Sequence, residues 1–198
     1  MMVGKSEVVS HFLVTFGYFV LVLILRLGVG RLGELGWLGM LGILGGGLLG
    51  TFFLDFDHLV YWLATHPEAE DSKEARETIR GFRGAGDVRE TTKKLYDLLK
   101  KVHFTHTRLV FHSVIGQVIL LILAFYLLSS GGSIFGSAFI LSVNLHLLKD
   151  EWTDYQKDRV HLADWLFWQV RGVTTEKQLT IYLIVVTTLF LFLTTLVL

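Results

Sequence analysis

Long apolar runs joined by short polar links fill most of this chain, and one extended polar block interrupts them near the middle. A bilayer core about 30 Å thick is crossed by roughly 20 apolar residues in helical form. Residues 178–198 (QLTIYLIVVTTLFLFLTTLVL) carry no charge, and residues 109–130 carry His112 and Gln117 but no Asp, Glu, Lys or Arg. Residues 133–150 follow the short Ser129-Ser130-Gly131-Gly132 turn. Residues 8–27 form an apolar run near the start, and residues 35–62 form a Gly-rich one with acids at its far end. These runs predict about five spanning helices, at 8–27, 35–62, 109–130, 133–150 and 178–198. The block from 64 to 107 has the mixed charge of helices in water and a break at Gly84 to Gly86, which predicts a two-helix insert outside the bilayer. The expected fold class is all-α, a polytopic membrane helical bundle forming a single domain over 1–198.

Composition narrows the classes further. The 198 residues are 52% hydrophobic and 18% charged, with one Pro, no Cys and zero formal net charge. Disordered and collagen-like chains need far less apolar content or far more Pro, and a disulfide framework or thiolate metal site needs cysteine. Any metal must therefore sit on His, Asp or Glu. The neutral balance speaks against nucleic acid as a partner. Arg26, Arg31 and Glu34 follow Leu25 where a secretory leader would show small residues, so the first run is expected to stay as an anchor.

Charge also predicts orientation. With five spans, all of the 18 Lys and Arg except Arg26 and Arg31 fall on one side. The positive-inside rule then places the N-terminus, the 64–107 insert and the 149–177 loop in the cytoplasm, with the protein in the plasma (inner) membrane. Glycines 30, 33, 36, 39, 42 and 45, followed by Gly46 and Gly50, predict close helix packing in lipid rather than a phosphate loop, since no Gly-Lys-Ser/Thr ending follows. Trp152, Tyr155, Trp165, Phe167 and Trp168 read as an interfacial aromatic belt.

Ionisable groups at membrane depth cost about 2.5–3.5 kcal/mol each on insertion scales, so their placement carries information. His11 opens the first run. Asp55, Asp57 and His58 (LDFDH) lie near the end of the second, Arg108, His112 and Ser113 (RLVFHS) open the third, and Asn144, His146, Asp150, Thr153 and Asp154 close the fourth. Under the alternating topology all four groups fall at the cytoplasmic end, where antiparallel packing can gather them into one pocket. On a helix His146 and Asp150 (i, i+4), Arg108 and His112 (i, i+4), and Asp55 and His58 (i, i+3) share faces. Imidazole with carboxylate and no sulfur suits a divalent ion. Zinc heads the choices, with manganese, iron or magnesium as alternatives.

In this order the motifs resemble the membrane-bound metal-dependent hydrolases, also described as LexA-binding, inner-membrane-associated hydrolases. The residues that carry the resemblance are Asp55-Phe56-Asp57-His58, then Arg108 to His112-Ser113, then His146 to Asp150 and Thr153, with His11 matching a His in the family's first apolar segment. It covers roughly residues 8–170. Two positions depart from the family pattern. Leu54 stands where Pro is usual before the first Asp, and Thr107 stands where His precedes the Arg, so that either His106, with His103 nearby, substitutes after a local shift or the pocket has one ligand fewer.

The resemblance implies a hydrolase, which the predicted orientation sets at the cytoplasmic membrane face. The expected ligands are drawn from Asp57, His58, His112, His146, Asp150 and His11, around an ion that lowers the pKa of a bound water towards about 7. Asp55 is expected as general base or as a partner orienting a His, Arg108 as a holder of an anionic group, and Ser113 as a hydrogen-bonding group. The substrate expected from this location is a small-molecule or lipid-linked, amphiphilic phosphoester among membrane lipids. Two other classes compete: ion or proton transport along the same acids and histidines, and a non-catalytic scaffold whose 64–107 insert recruits a protein partner.

Overall fold

In a computed structural model of the chain, residues 3–82, 84–102, 108–170 and 175–197 are described. Among them the structure is all-helical. Three helical stretches are long and apolar enough to cross a membrane: Val8–Gly28, Gly36–Thr65 and Glu176–Thr195.

The first of these lies in α1 (Val3–Gly28). The second opens as α2 (Gly36–Phe53) and continues through a tight turn over Leu54–Phe56, the short α3 (Asp57–Val60) and a π-helical turn over Tyr61–Thr65. The polar block folds as α4 (Glu70–Arg80) and α5 (Val88–Val102). Glu70 and Asp71 sit in the first turn of α4, where carboxylates complement the exposed N–H groups. On α5 the Lys94 ammonium hydrogen-bonds Glu90 one turn back at 2.8 Å and holds its carboxyl below the ordinary carboxylate value.

An apolar helix, α6 (Val114–Ser129), then leads through Gly131, whose φ of 65° favours glycine, into α7 (Ile134–Lys157). The 24-residue α7 is apolar in its first two thirds and charged in its last third. The short α8 (Arg159–Leu166) follows, capped by Asp158, which accepts from the Val160 and His161 amides. The last helix, α9 (Glu176–Thr195), opens with a Thr175–Gln178 capping box.

Residue pairings show the directions. His11 on α1 meets Asp150 on α7, and Phe19 meets Gly47 on α2, so α1 runs against both. Gly46 meets Phe135, Gly50 meets Phe139, and Thr51 meets His146, so α2 and α7 run parallel. Gln117 on α6 reaches Glu151 and Asn144 reaches Leu120, while on α9 Thr180 meets Tyr155 and Thr187 meets Trp152, so α6 and α9 oppose α7. Helix α7 lies at the centre of this arrangement, and the bundle core is built from Leu120, Leu141, Val143, Leu147, Leu183 and Val186 with their neighbours.

The insert is attached to the bundle by a separate small core. Trp62, Ala75, Leu98 and Val102 pack together, and Trp62 Nε1 donates to Asp71 Oδ2 at 2.7 Å. A face of exposed apolar side chains on α1, α2, α6 and α9 remains, as lipid-facing helices require.

Candidate functional site

Small residues bring α2 and α7 together where the polar residues lie. A Cβ at Gly46 would stand 2.3 Å from the Phe135 carbonyl oxygen, and one at Gly50 would stand 2.4 Å from that of Phe139. Their i, i+4 spacing keeps both on one face, whereas the three-residue glycine repeat drifts around the helix. Gly42 and Gly45 meet their neighbours at ordinary distances of 3.5 Å or more. One turn further on, Thr51 Oγ1 and Ser142 Oγ lie 3.0 Å apart and both reach the Gly47 carbonyl, at 2.8 and 2.7 Å.

This contact places the Thr51 carbonyl against His146 Nδ1. A carbonyl only accepts, so Nδ1 carries a proton and Nε2 is turned to the opposite side. There it faces Asp150 Oδ2 at 3.1 Å. From α1, His11 Nε2 comes to 2.8 Å from Asp150 Oδ1, and the His11 and His146 rings meet edge to face with centroids 3.9 Å apart. One ligand atom each from His11, His146 and Asp150 lies within 4.8 Å of the others, so the three can hold a metal ion. Both histidines are buried, at 8% and 3% exposure. An imidazole nitrogen this close to a carboxylate oxygen shares a proton or a cation with it, and two imidazoles with a carboxylate form a donor set that zinc and its neighbours accept.

His112, Asp57 and His58 follow outward from this trio, and the other expected residues take different roles. His112 is next, its ring centroid 6.1 Å from that of His146. Asp57 is fully buried and turned towards the segment before α6, where its carboxylate accepts from the amides of Val110, Phe111 and His112 at 3.2, 2.6 and 3.1 Å. It also lies 3.3 Å from His112 Nδ1, an arrangement that orients the His112 ring. His58, 4% exposed, stands beyond, with its ring 6.5 Å from that of His112. Asp55 is exposed, and its negative charge acts on His146. Ser113 caps α6 by accepting from Gly116 N, and its hydroxyl lies 2.8 Å from both the Val110 carbonyl and Gln169 Oε1.

Arg108 is exposed and lies before the helix. The helical spacing expected of Arg108 and His112 does not hold, because α6 begins only at Val114. The amides of residues 110–112 turn to Asp57 instead of entering a helical ladder, which leaves Ser113 as the cap. Asn144, Thr153 and Asp154 serve packing: Asn144 Nδ2 donates to the Ile140 carbonyl, Thr153 to that of Lys149, and Asp154 accepts from Trp165 Nε1. His103, His106 and Thr107 lie outside the described residues.

Two features escape a reading of sequence. Glu151 is fully buried on the other face of α7, held by Gln117 Nε2 at 3.2 Å and Tyr182 OH at 3.3 Å. Lys149 reaches both His11 and Asp150. Its signal was its place three residues after His146, on the same side of the helix. No family model matches the chain, and no curated protein or solved structure matches it either.

Proposed function

We propose that the protein is a metal-dependent hydrolase seated in the cytoplasmic leaflet of the plasma (inner) membrane, acting on an amphiphilic or lipid-linked phosphoester. The observation that carries this reading is the meeting of His11, His146 and Asp150 from two helices, far apart in sequence and mostly buried. Buried imidazole and carboxylate in an apolar bundle carry a desolvation penalty that a cation offsets, and two imidazoles beside that carboxylate are the donors a divalent ion takes, which supports this reading. The ordered motifs that resemble the membrane-bound metal-dependent hydrolases point the same way.

His11, His146 and Asp150 would hold the divalent ion, whose chemistry there would be that of a Lewis acid lowering the pKa of water towards about 7. The chain's own residues divide the rest. The Thr51 carbonyl fixes the His146 tautomer and ring orientation, and Asp57 does the same for His112, the nearest further donor. Asp55, exposed and acting by its charge on His146, would be the acceptor of a proton from the attacking water. Arg108 offers a guanidinium to an anionic phosphoryl group at the solvent edge. Next to His11 on α1, Phe12 and Leu13 are 43% and 58% exposed, so the acyl part of a substrate can lie along this helix while its head group reaches the site.

The test is hydrolysis of a phosphoester panel, water-soluble and lipid-linked, by detergent-purified protein supplied in turn with Zn²⁺, Mn²⁺, Fe²⁺ and Mg²⁺. The reading expects release of phosphate that Asp150→Asn abolishes and Arg108→Gln weakens mainly through KM. Hydrolysis equal in wild type and Asp150→Asn, or none with any ion, contradicts it.

A further inference from the structure

Lys149 stands outside the ligand set described above, yet its ammonium lies inside that set. Nζ touches His11 Nε2 and lies 3.2 Å from Asp150 Oδ1, with the side chain only 13% exposed. His11 Nε2 and Asp150 Oδ1 are themselves 2.8 Å apart, within hydrogen-bonding distance. An ammonium only donates and a carboxylate only accepts, so Lys149 Nζ donates to Asp150 Oδ1 while its charge sits against His11 Nε2 as well. The ammonium thus fills the place where a cation would meet His11 Nε2 and Asp150 Oδ1. They belong to the trio that a divalent ion would use together with His146.

The two cations exclude one another. Zinc–nitrogen and zinc–carboxylate bonds are about 2.0–2.2 Å long, which leaves no place for an ammonium against the same nitrogen. The charges also repel at such separations. In the lysine-held arrangement the ammonium neutralises Asp150, which a largely buried carboxylate requires. The four-carbon stem of lysine lets the same charge swing aside without moving α7.

From this placement we propose that Lys149 is a tethered competitor for the metal seat, so that a divalent ion binds by displacing its ammonium from His11 and Asp150. The proposal rests on the metal-centre reading above and adds a determinant of affinity to it. The site becomes exchangeable, holding its ion more weakly than the same ligands would alone. On displacement a positive charge is released beside the centre.

The test is Mn²⁺ binding, followed by electron paramagnetic resonance, to the full chain in detergent as wild type, Lys149→Met and His146→Ala. Methionine keeps the stem's bulk and removes the charge. The expected result is that Lys149→Met binds Mn²⁺ about 10-fold more tightly than wild type or better, a gain of roughly 1.4 kcal/mol, while His146→Ala loses binding. Equal or weaker binding by Lys149→Met, with His146→Ala still defective, overturns the competition and leaves the metal centre standing. No binding by wild type and Lys149→Met alike, or binding that His146→Ala retains, overturns the metal centre and the competition with it. Should Lys149→Met need an ion to fold, recovery of its thermal transition on adding Mn²⁺ supports the proposal, and no recovery counts against it.

Discussion

Asp57 and His146 are both buried polar residues at the same end of the bundle, and the structure separates what each does. Asp57 gathers three amides that have no helical partner, so its removal leaves buried N–H groups unsatisfied. Losing even one such partner costs about 1–3 kcal/mol, so Asp57→Ala is expected to lower stability by about 2 kcal/mol or more in chemical or thermal unfolding. His146 donates to one carbonyl and turns its other nitrogen to Asp150. His146→Ala is therefore expected to affect metal binding more than unfolding. A large stability loss in His146→Ala with a mild one in Asp57→Ala would reverse this assignment. Sequence spacing made His146 and Asp150 readable as a pair, because i, i+4 on a helix needs no knowledge of the fold. The role of Asp57 was not readable, since its partners lie more than fifty positions away.

At the scale of elements, the approach of α2 to α7 positions the Thr51 carbonyl, and with it the imidazole of His146. The glycine-rich run announced close packing, but its three-residue repeat pointed to the wrong members. Gly46 and Gly50 carry the contact because four-residue spacing follows a helix face more nearly than three-residue spacing does. Gly46→Ala drives a methyl group into backbone and is expected to destabilise by about 1–3 kcal/mol. Gly42→Ala, whose nearest neighbour is 3.5 Å away, is expected to be within about 0.5 kcal/mol of wild type. Unfolding in mixed micelles measures both, and equal losses would show that the interface tolerates separation. The third apolar run illustrates the opposite case. Hydropathy marked it from residue 109, but the helix starts at Val114, because the Asp57 carboxylate competes for the preceding amides. Hydropathy alone carries no information about such a competitor.

For the whole molecule, apolar run length was enough to indicate an all-helical bundle, since helices satisfy their own backbone in lipid. The pairings add that α1, α6 and α9 oppose α2 and α7, which gathers His11, Asp55, His112, His146 and Asp150 at one end. Which membrane face that end meets follows, in the proposed reading, from the basic residues of the insert. The chain has no cysteine, so single cysteines are clean reporters. Lys93→Cys is expected to react with a membrane-impermeant maleimide from the cytoplasmic side only, and Gly33→Cys from the opposite side only. The reverse labelling would invert the topology and move the candidate site to the outer face.

The claim on which the functional reading depends is that His11, His146 and Asp150 hold a metal ion. Elemental analysis of detergent-purified wild type, His146→Ala and Asp150→Ala, each supplied with Zn²⁺, Mn²⁺, Fe²⁺ and Mg²⁺ and then desalted, tests it directly. About one ion per chain is expected in the wild type if the trio is the seat, with both variants folded and depleted. A wild type without any of these ions, or variants that keep the ion at the wild-type level, would contradict the account.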